Sequence, residues 1–157
     1  MRNLFGSAAP RLAGKRLYCI DAWQAFPQHE YQGVANVPQA EHDQHFAQTQ
    51  TLLQPFGRRV HILRKRSEIA AQHFADGQLD FVYLDPQHHF FAVHADLKTW
   101  SRKVRPGGIL AGHDYLDGEN AAGLFGVKSA VDEFAAQSGL RFVVTHEAQW
   151  PTWNAFD

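Results

Sequence analysis

The chain has 157 residues, and its 15 basic and 16 acidic side chains nearly cancel. Because neither sign forms a long block, we expect no nucleic-acid partner, and the length suits one domain over residues 1–157. Cys19 is the only cysteine, which excludes an internal disulfide. The sequence has no charged leader followed by a long apolar segment, so it predicts a cytoplasmic protein that does not enter a membrane.

The predicted elements alternate along the chain. Short runs rich in β-branched residues predict strands, and helical patterns separate them, which is typical of an α/β protein with a mostly parallel sheet. Residues 106–108 predict a turn, 115–125 a loop, and 149–156 a last strand that turns back antiparallel. The remaining predicted elements are strands over 16–21, 59–63, 79–85, 109–114 and 140–146, and helices over 40–53, 67–74, 91–103 and 127–138.

Three of the predicted strands end in an acid: Asp21, Asp85 and Asp114. Ligands of open parallel sheets bind outside the carboxyl ends of the strands, so these three carboxylates should converge on one crevice. A single aspartate at such a position is equally well explained as a helix cap or turn residue. Three at equivalent positions favour a binding site.

Four segments together resemble one enzyme family: YCIDAW, LRKRSEIA, GVKSAVDEF and the long run from FVYLDPQHHFF to GHDY. They resemble the class I S-adenosylmethionine-dependent methyltransferases, in the branch whose fourth strand ends in Asp-x-x-His and whose fifth ends in His-Asp. The resemblance spans about residues 17–153. It implies a Rossmann-like sheet that is mostly parallel with an antiparallel C-terminal strand, and S-adenosyl-L-methionine as the cofactor.

The resemblance also implies a set of cofactor-binding residues. Asp21 would bind the ribose hydroxyls, since one carboxylate can accept hydrogen bonds from both. Arg66 and Ser67 would border the adenine, and Asp85 would lie beside the methionine part and the substrate. Trp23 follows Asp21 by two residues, where its ring could cover the adenosine or simply pack in the core.

The catalytic residues implied by the resemblance are Asp85, His88, His113 and Asp114. For an oxygen acceptor, either a histidine removes the proton, or a divalent cation such as Mg²⁺ lowers the acceptor's pKa. Asp85, His113 and Asp114 form the candidate metal set. The related metal-dependent O-methyltransferases carry an acid where this chain has His113, so both routes remain open. We expect the acceptor to be a small hydroxylated molecule.

One feature of the family is missing from the sequence. Family members place a glycine-rich turn after a central first strand, whereas here Gly6 and Gly14 stand alone and residues 1–13 resemble the second half of the following helix. We therefore expect an N-terminally truncated domain with weakened cofactor binding. Either the strand over 16–21 pairs directly with the strand over 79–85, or a gap stays open between them.

Two other functions agree with parts of the sequence. The truncated domain could be a non-catalytic interaction module or one half of a homo-oligomer. A nicotinamide-dependent oxidoreductase would share the sheet and the acid at Asp21, but the glycine fingerprint for its pyrophosphate is missing too. Binding of S-adenosylhomocysteine without affinity for NAD would separate the oxidoreductase from the methyltransferase.

Overall fold

A computed structural model describes residues 14–145 and 150–156. Two short 3₁₀ helices, Gln54–Arg59 and Ala71–His73, accompany the regular elements. The regular elements in chain order are β1 Leu17–Asp21, α1 Gln39–Leu53, β2 Val60–Arg64, α2 Ser67–Ala70, β3 Leu79–Leu84, α3 Phe90–Ser101, β4 Val104–Gly112, β5 Asp117–Asn120, β6 Gly123–Gly126, α4 Val127–Ser138, β7 Arg141–Thr145 and β8 Thr152–Phe156.

The strands form two parallel pairs, an antiparallel extension and a hairpin. β1 pairs with β2 in parallel, and a separate four-stranded sheet has the order β3-β4-β8-β7. β3 and β4 are parallel, whereas β8 is antiparallel to both of its neighbours. The predicted α/β class and the antiparallel C-terminal strand are therefore confirmed.

The core lies between α3, α4 and one face of the four-stranded sheet. Helix α3 contributes Val93, Leu97 and Trp100, whose spacing of four and three residues puts them on one face of the helix. Trp153 of β8 is 1% exposed and is the largest fully buried side chain in the described residues. Within these residues, no helix is long and apolar enough to cross a membrane.

A gap separates β1 from β3. In the part of the chain that the structure describes, no strand lies between them, and a cavity of about 1690 Å³ is lined by residues of both strands. The Lys15 ammonium bridges the gap to the Asp80 carboxylate, 2.8 Å away near the strand starts. Of the two arrangements expected from the sequence, the structure therefore has the open gap and not direct β1–β3 pairing.

Two segments differ from their predictions. Residues 115–125 were predicted as a loop, but they contain most of the β5–β6 hairpin. All four residues of β5 are exposed and polar or glycine, so the alternation of apolar residues that predicts a strand is missing. The turn predicted over 106–108 lies inside β4, where the pairing register with β3 shifts between Leu79 and Phe81. The extra length of β4 is therefore accommodated by an irregularity that hydrophobic periodicity does not encode.

Gly112 offers a test of packing in this sheet. A Cβ atom at this position would lie 2.5 Å from Cζ2 of Trp153 and 2.7 Å from the carbonyl oxygen of Leu84. We expect Gly112→Ala to lower the free energy of unfolding by about 1–3 kcal/mol, measured by chemical denaturation. In a Trp153→Leu background the same substitution should cost less. An equal cost in both backgrounds would show that contact with Trp153 is not the cause.

Candidate functional site

All three acidic strand ends face the cavity between β1 and β3. Asp21, Asp85 and Asp114 are among its lining residues, as is Ser67. The sequence predicted this convergence on one crevice. β1 and β3 belong to separate sheets, so the crevice coincides with the open gap that was one of the two arrangements expected from the sequence.

The β3–β4 pairing brings the carboxylates and imidazoles together. The backbone N–H of His113 donates to the carbonyl of Leu84 over 3.1 Å, which continues the parallel ladder beyond β4. His113 and Asp114 therefore lie beside Asp85, the residue that follows β3. Nδ1 of His113 lies 2.7 Å from Oδ1 of Asp114, and Nε2 of His88 lies 3.0 Å from Oδ2 of the same carboxylate.

Asp114 is the centre of this cluster. It is 7% exposed and has a φ of 56°, in the left-handed region that a non-glycine residue seldom adopts. Its two oxygens each approach a different imidazole. Such a strained residue is maintained only where its surroundings fix it.

The β5–β6 hairpin positions His88. The N–H of Gly126 donates to the carbonyl of His88 over 2.8 Å. The His88 ring stacks on Phe125, with ring centroids 4.4 Å apart and planes 10° apart. The hairpin that the sequence did not predict therefore forms one wall behind the candidate base.

Three residues of the cluster could also hold a cation. Asp85, His113 and Asp114 each offer a ligand atom, and these atoms lie within 4.8 Å of one another. His88 lines the cavity together with Asp85 and Asp114, whereas His113 is not among the lining residues. Two carboxylates and one imidazole fit a divalent cation that accepts both oxygen and nitrogen ligands.

Trp23 lies away from the place expected for a residue that covers the adenosine. Its side chain is 6% exposed, its ring centroid is 5.0 Å from that of Phe46 on α1, and it does not line the cavity. Its backbone N–H donates to Oδ1 of Asp21 over 2.6 Å. Of the two positions expected for the Trp23 ring, the structure therefore has the one in the core. The backbone N–H of Trp23 helps to orient the Asp21 carboxylate.

Arg66 forms a polar and aromatic section of the cavity wall. Its Nη2 lies 2.8 Å from Oε2 of Glu30, and its guanidinium lies 4.8 Å above the centroid of the Phe26 ring. All three residues line the cavity. Glu30 and Phe26 come from the long β1–α1 loop, where no periodic pattern singled them out.

Ser67 belongs to a buried hydrogen-bond network. Its hydroxyl donates to Oδ1 of Asp96 and accepts from Nε1 of Trp100, both over 2.7 Å. Burial raises the pKa of Asp96 to about 6, against the lowering effect of the Ser67 hydroxyl, and the Glu68 carboxylate raises it further. The sequence analysis missed Asp96, although an acid four residues before a buried tryptophan on the same helix face is a usable signal.

Tyr31 is a second cavity residue that the sequence analysis missed. It is 8% exposed and its ring lies 6.2 Å from that of His89. Burial raises the pKa of the Tyr31 hydroxyl, and the nearby Asp85 carboxylate raises it further. Its position in a loop carries no periodicity that would have revealed the burial.

Comparison with known proteins identifies the family. Residues 3–115 match the family described as "Methyltransferase domain", and the chain therefore belongs to it. No curated protein matches the chain. The fold is accordingly that of a Rossmann-like methyltransferase.

Solved structures support the fold. A protein of Corynebacterium glutamicum is similar with a TM-score of 0.54 and 20% identity, over 89% of this chain and 60% of the other. The O-methyltransferase NovP is similar with a TM-score of 0.60 and 16% identity, over 94% of this chain and 62% of NovP. The chain thus spans about three fifths of the length of both proteins.

A third similar structure contains a cofactor product. It is the 1,6-didemethyltoxoflavin-N1-methyltransferase of Burkholderia thailandensis, solved with bound 1,6-didemethyltoxoflavin and S-adenosylhomocysteine. Its TM-score is 0.53 and its identity 11%, over 99% of this chain and 78% of the other. At these identities the three structures show the fold alone.

Proposed function

We propose that the chain binds S-adenosylmethionine and directs its methyl group to an oxygen atom of a small hydroxylated molecule. The observation that carries the proposal is the cavity that Asp21, Asp85 and Asp114 line together in a chain of the methyltransferase-domain family. A nicotinamide-dependent oxidoreductase has no comparable support, since the family match is to methyltransferases.

The cofactor would lie across the carboxyl ends of β1 and β3. Asp21 would accept hydrogen bonds from the ribose hydroxyls, with its carboxylate oriented by the N–H of Trp23. Arg66 and Ser67 would border the adenine. Asp85 would lie between the methionine part and the acceptor, which agrees with its position in the cavity beside His88.

The proton of the acceptor hydroxyl would pass to His88. Bound S-adenosylmethionine supplies a methyl group on a sulfonium, which leaves as a thioether when an oxygen attacks in line. Asp114 approaches Nε2 of His88 at 3.0 Å, so it favours the tautomer that carries the proton on Nε2. Nδ1 is then free to accept the acceptor's proton, and Asp114 would stabilise the imidazolium that forms.

The metal set is the alternative way to activate the acceptor. Asp85, His113 and Asp114 would hold the ion, and a bound divalent cation such as Mg²⁺ would supply a Lewis acid that lowers the pKa of the acceptor hydroxyl. Both routes use Asp114, but only the first needs a free imidazole at His88.

Chelation and substitution distinguish the two routes. We expect methyl transfer to be unchanged by a metal chelator and by added Mg²⁺ or Mn²⁺, and to fall by about 10²–10⁴-fold in His88→Ala, because the base supplies the proton acceptor. The measurement is transfer of labelled methyl groups. Loss of activity with the chelator and its recovery with a divalent cation would contradict the base route and favour the metal route.

The function itself is tested by binding and turnover together. Calorimetric titration should detect binding of S-adenosylhomocysteine at concentrations up to the millimolar range. The same titration with NAD should detect no binding. Labelled S-adenosylmethionine is then assayed against a panel of small phenols, sugars and hydroxy acids. If neither S-adenosylhomocysteine nor NAD binds, the proposal is contradicted. Binding of S-adenosylhomocysteine without methyl transfer to any acceptor would favour a non-catalytic module.

A further inference from the structure

Acidic side chains outnumber basic ones in the wall of the cavity, which seven acidic and five basic residues line. Three of the basic side chains already have carboxylate partners. Lys15 and Arg105 share the carboxylate of Asp80, and Arg66 is paired with Glu30. Bound S-adenosylmethionine carries two positive groups and one carboxylate, so it offsets only part of the remaining negative charge. The cavity therefore favours a second ligand that is positively charged.

Two of the acids lie at the acceptor end of the cavity, which is the part of the wall around His88. Oδ1 of Asp85 is 3.9 Å and Oδ2 of Asp114 is 3.0 Å from Nε2 of this imidazole. In the described part of the chain, neither carboxylate pairs with a lysine or an arginine, and Asp85 accepts no hydrogen bond. When the cofactor and the acceptor displace water from Asp85, a donor must therefore come from a ligand.

Tyr31 is a second group at the acceptor end that has no partner for its polar atom. It lines the cavity and is 8% exposed, and in the part of the chain that the structure describes only its backbone groups make hydrogen bonds. Burial raises the pKa of its hydroxyl, and the charge of Asp85 raises it further. Burial also raises the pKa of Tyr83, followed by the charges of Asp85 and Asp114. Both phenols thus stay neutral, and the oxygen of Tyr31 is free to accept a hydrogen bond from a ligand.

A protonated amine has the chemistry that these groups require. It carries a positive charge and three hydrogen-bond donors, whereas a hydroxyl is neutral and has a single donor. One N–H would bind the carboxylate of Asp85, and another would bind the oxygen of Tyr31. Hydrogen bonds between charged groups are also about twice as strong as those between neutral groups. Since an ammonium nitrogen has no lone pair, the methyl group would still go to the oxygen.

We propose that the acceptor carries a protonated amino group close to the hydroxyl that is methylated, and that Asp85 and Tyr31 bind this amine. The inference rests on the proposed function and on its base route, in which His88 faces the hydroxyl and Asp85 holds no metal. Only 3.9 Å separates His88 from Asp85, so the hydroxyl and the amine belong to neighbouring parts of one molecule. Amino alcohols, including amino sugars, have this arrangement. Hydroxy acids would place a second negative charge beside Asp85.

A matched series of phenols tests the preference for charge. The compounds are 2-(aminomethyl)phenol, 2-ethylphenol and salicylate, which place a cation, a methyl group and a carboxylate at similar distances from the same hydroxyl. The measurement is kcat/KM for transfer of labelled methyl groups, with NMR of the product to locate the methyl group on oxygen. Wild-type protein should prefer the aminomethyl compound to the ethyl compound about tenfold or more, and should use salicylate least. Glucosamine and glucose repeat the comparison with sugars.

Substitutions test which residues distinguish the amine. Asp85→Asn should bring the ratio of kcat/KM for the aminomethyl and ethyl compounds close to unity, and any loss of cofactor binding affects both compounds and cancels in the ratio. Glu68→Gln is the matched control and should keep the ratio, because Glu68 lines the cavity from α2, away from His88. Tyr31→Phe should lower the ratio by about threefold or more, and it replaces Asp85→Asn if that variant does not fold.

Each outcome decides the inference. Equal use of the aminomethyl and ethyl compounds by wild-type protein would overturn it, and so would an unchanged ratio in Asp85→Asn. If none of the compounds is methylated, ligand-observed NMR with the protein saturated with S-adenosylhomocysteine replaces the assay, and amines that bind no better than the neutral compounds overturn the inference. Methylation without preference for the amine would leave the proposed function standing, whereas failure to bind S-adenosylhomocysteine overturns both.

Discussion

Replacing Asp114 with asparagine is expected to lower the rate of methyl transfer by about 10²–10⁴-fold without weakening cofactor binding. The carboxylate approaches His88 with one oxygen and His113 with the other. Asparagine offers a single acceptor oxygen, so at least one imidazole loses its partner and the charge that stabilises an imidazolium disappears. The measurements are single-turnover methyl transfer and calorimetric titration with S-adenosylhomocysteine.

The choice of asparagine separates chemistry from folding. Asp114 has a φ of 56°, and asparagine tolerates this left-handed conformation better than other non-glycine residues. Asp76→Asn serves as the control for loss of a carboxylate, because it removes only an exposed ion pair with Lys103 and Arg102. Full turnover in Asp114→Asn would exclude both the base route and the metal route, since each depends on this carboxylate.

The sequence predicted the parts of the site that strand ends determine. A buried apolar run followed by an acid predicts where a side chain leaves the sheet, and adjacent parallel strands then bring Asp85, His113 and Asp114 together. This holds because strand register depends on hydrophobic alternation, and here the ladder continues from Leu84 through the N–H of His113. The Asp-His cluster is accordingly recognisable from the order of residues along the chain.

The parts that depend on loops could not be predicted in the same way. The β5 strand has no apolar residue to set its alternation, and its partner β6 lies behind His88 through the tertiary contact of Phe125 with the imidazole ring. Trp23 follows Asp21 by only two residues, but a φ of 42° accompanies packing of its ring against α1 and not against the cavity. Neither local spacing nor residue type encodes such a turn of the backbone.

Replacing Asp21 with alanine is expected to weaken adenosine binding by roughly 1.5–3 kcal/mol, or about 10- to 150-fold, because a charged acceptor of the ribose hydroxyls is lost. Asp21 also accepts the N–H of Trp23, so the substitution could disturb the β1–α1 loop. Tryptophan fluorescence and the unfolding free energy report on that disturbance. Asp21→Asn can keep an oxygen for the Trp23 N–H while losing the charge.

A cycle with 2′-deoxyadenosine separates recognition of the ribose from disturbance of the loop. Wild-type protein should bind adenosine more tightly than the deoxynucleoside, since the Asp21 carboxylate would meet one hydroxyl fewer. In Asp21→Ala the two nucleosides should bind equally, because the group that distinguishes them is gone. A distorted loop would weaken the binding of both nucleosides to the same extent and preserve the ratio of their affinities. If the preference for adenosine survives in Asp21→Ala, the ribose is bound elsewhere and the orientation proposed for the cofactor is wrong.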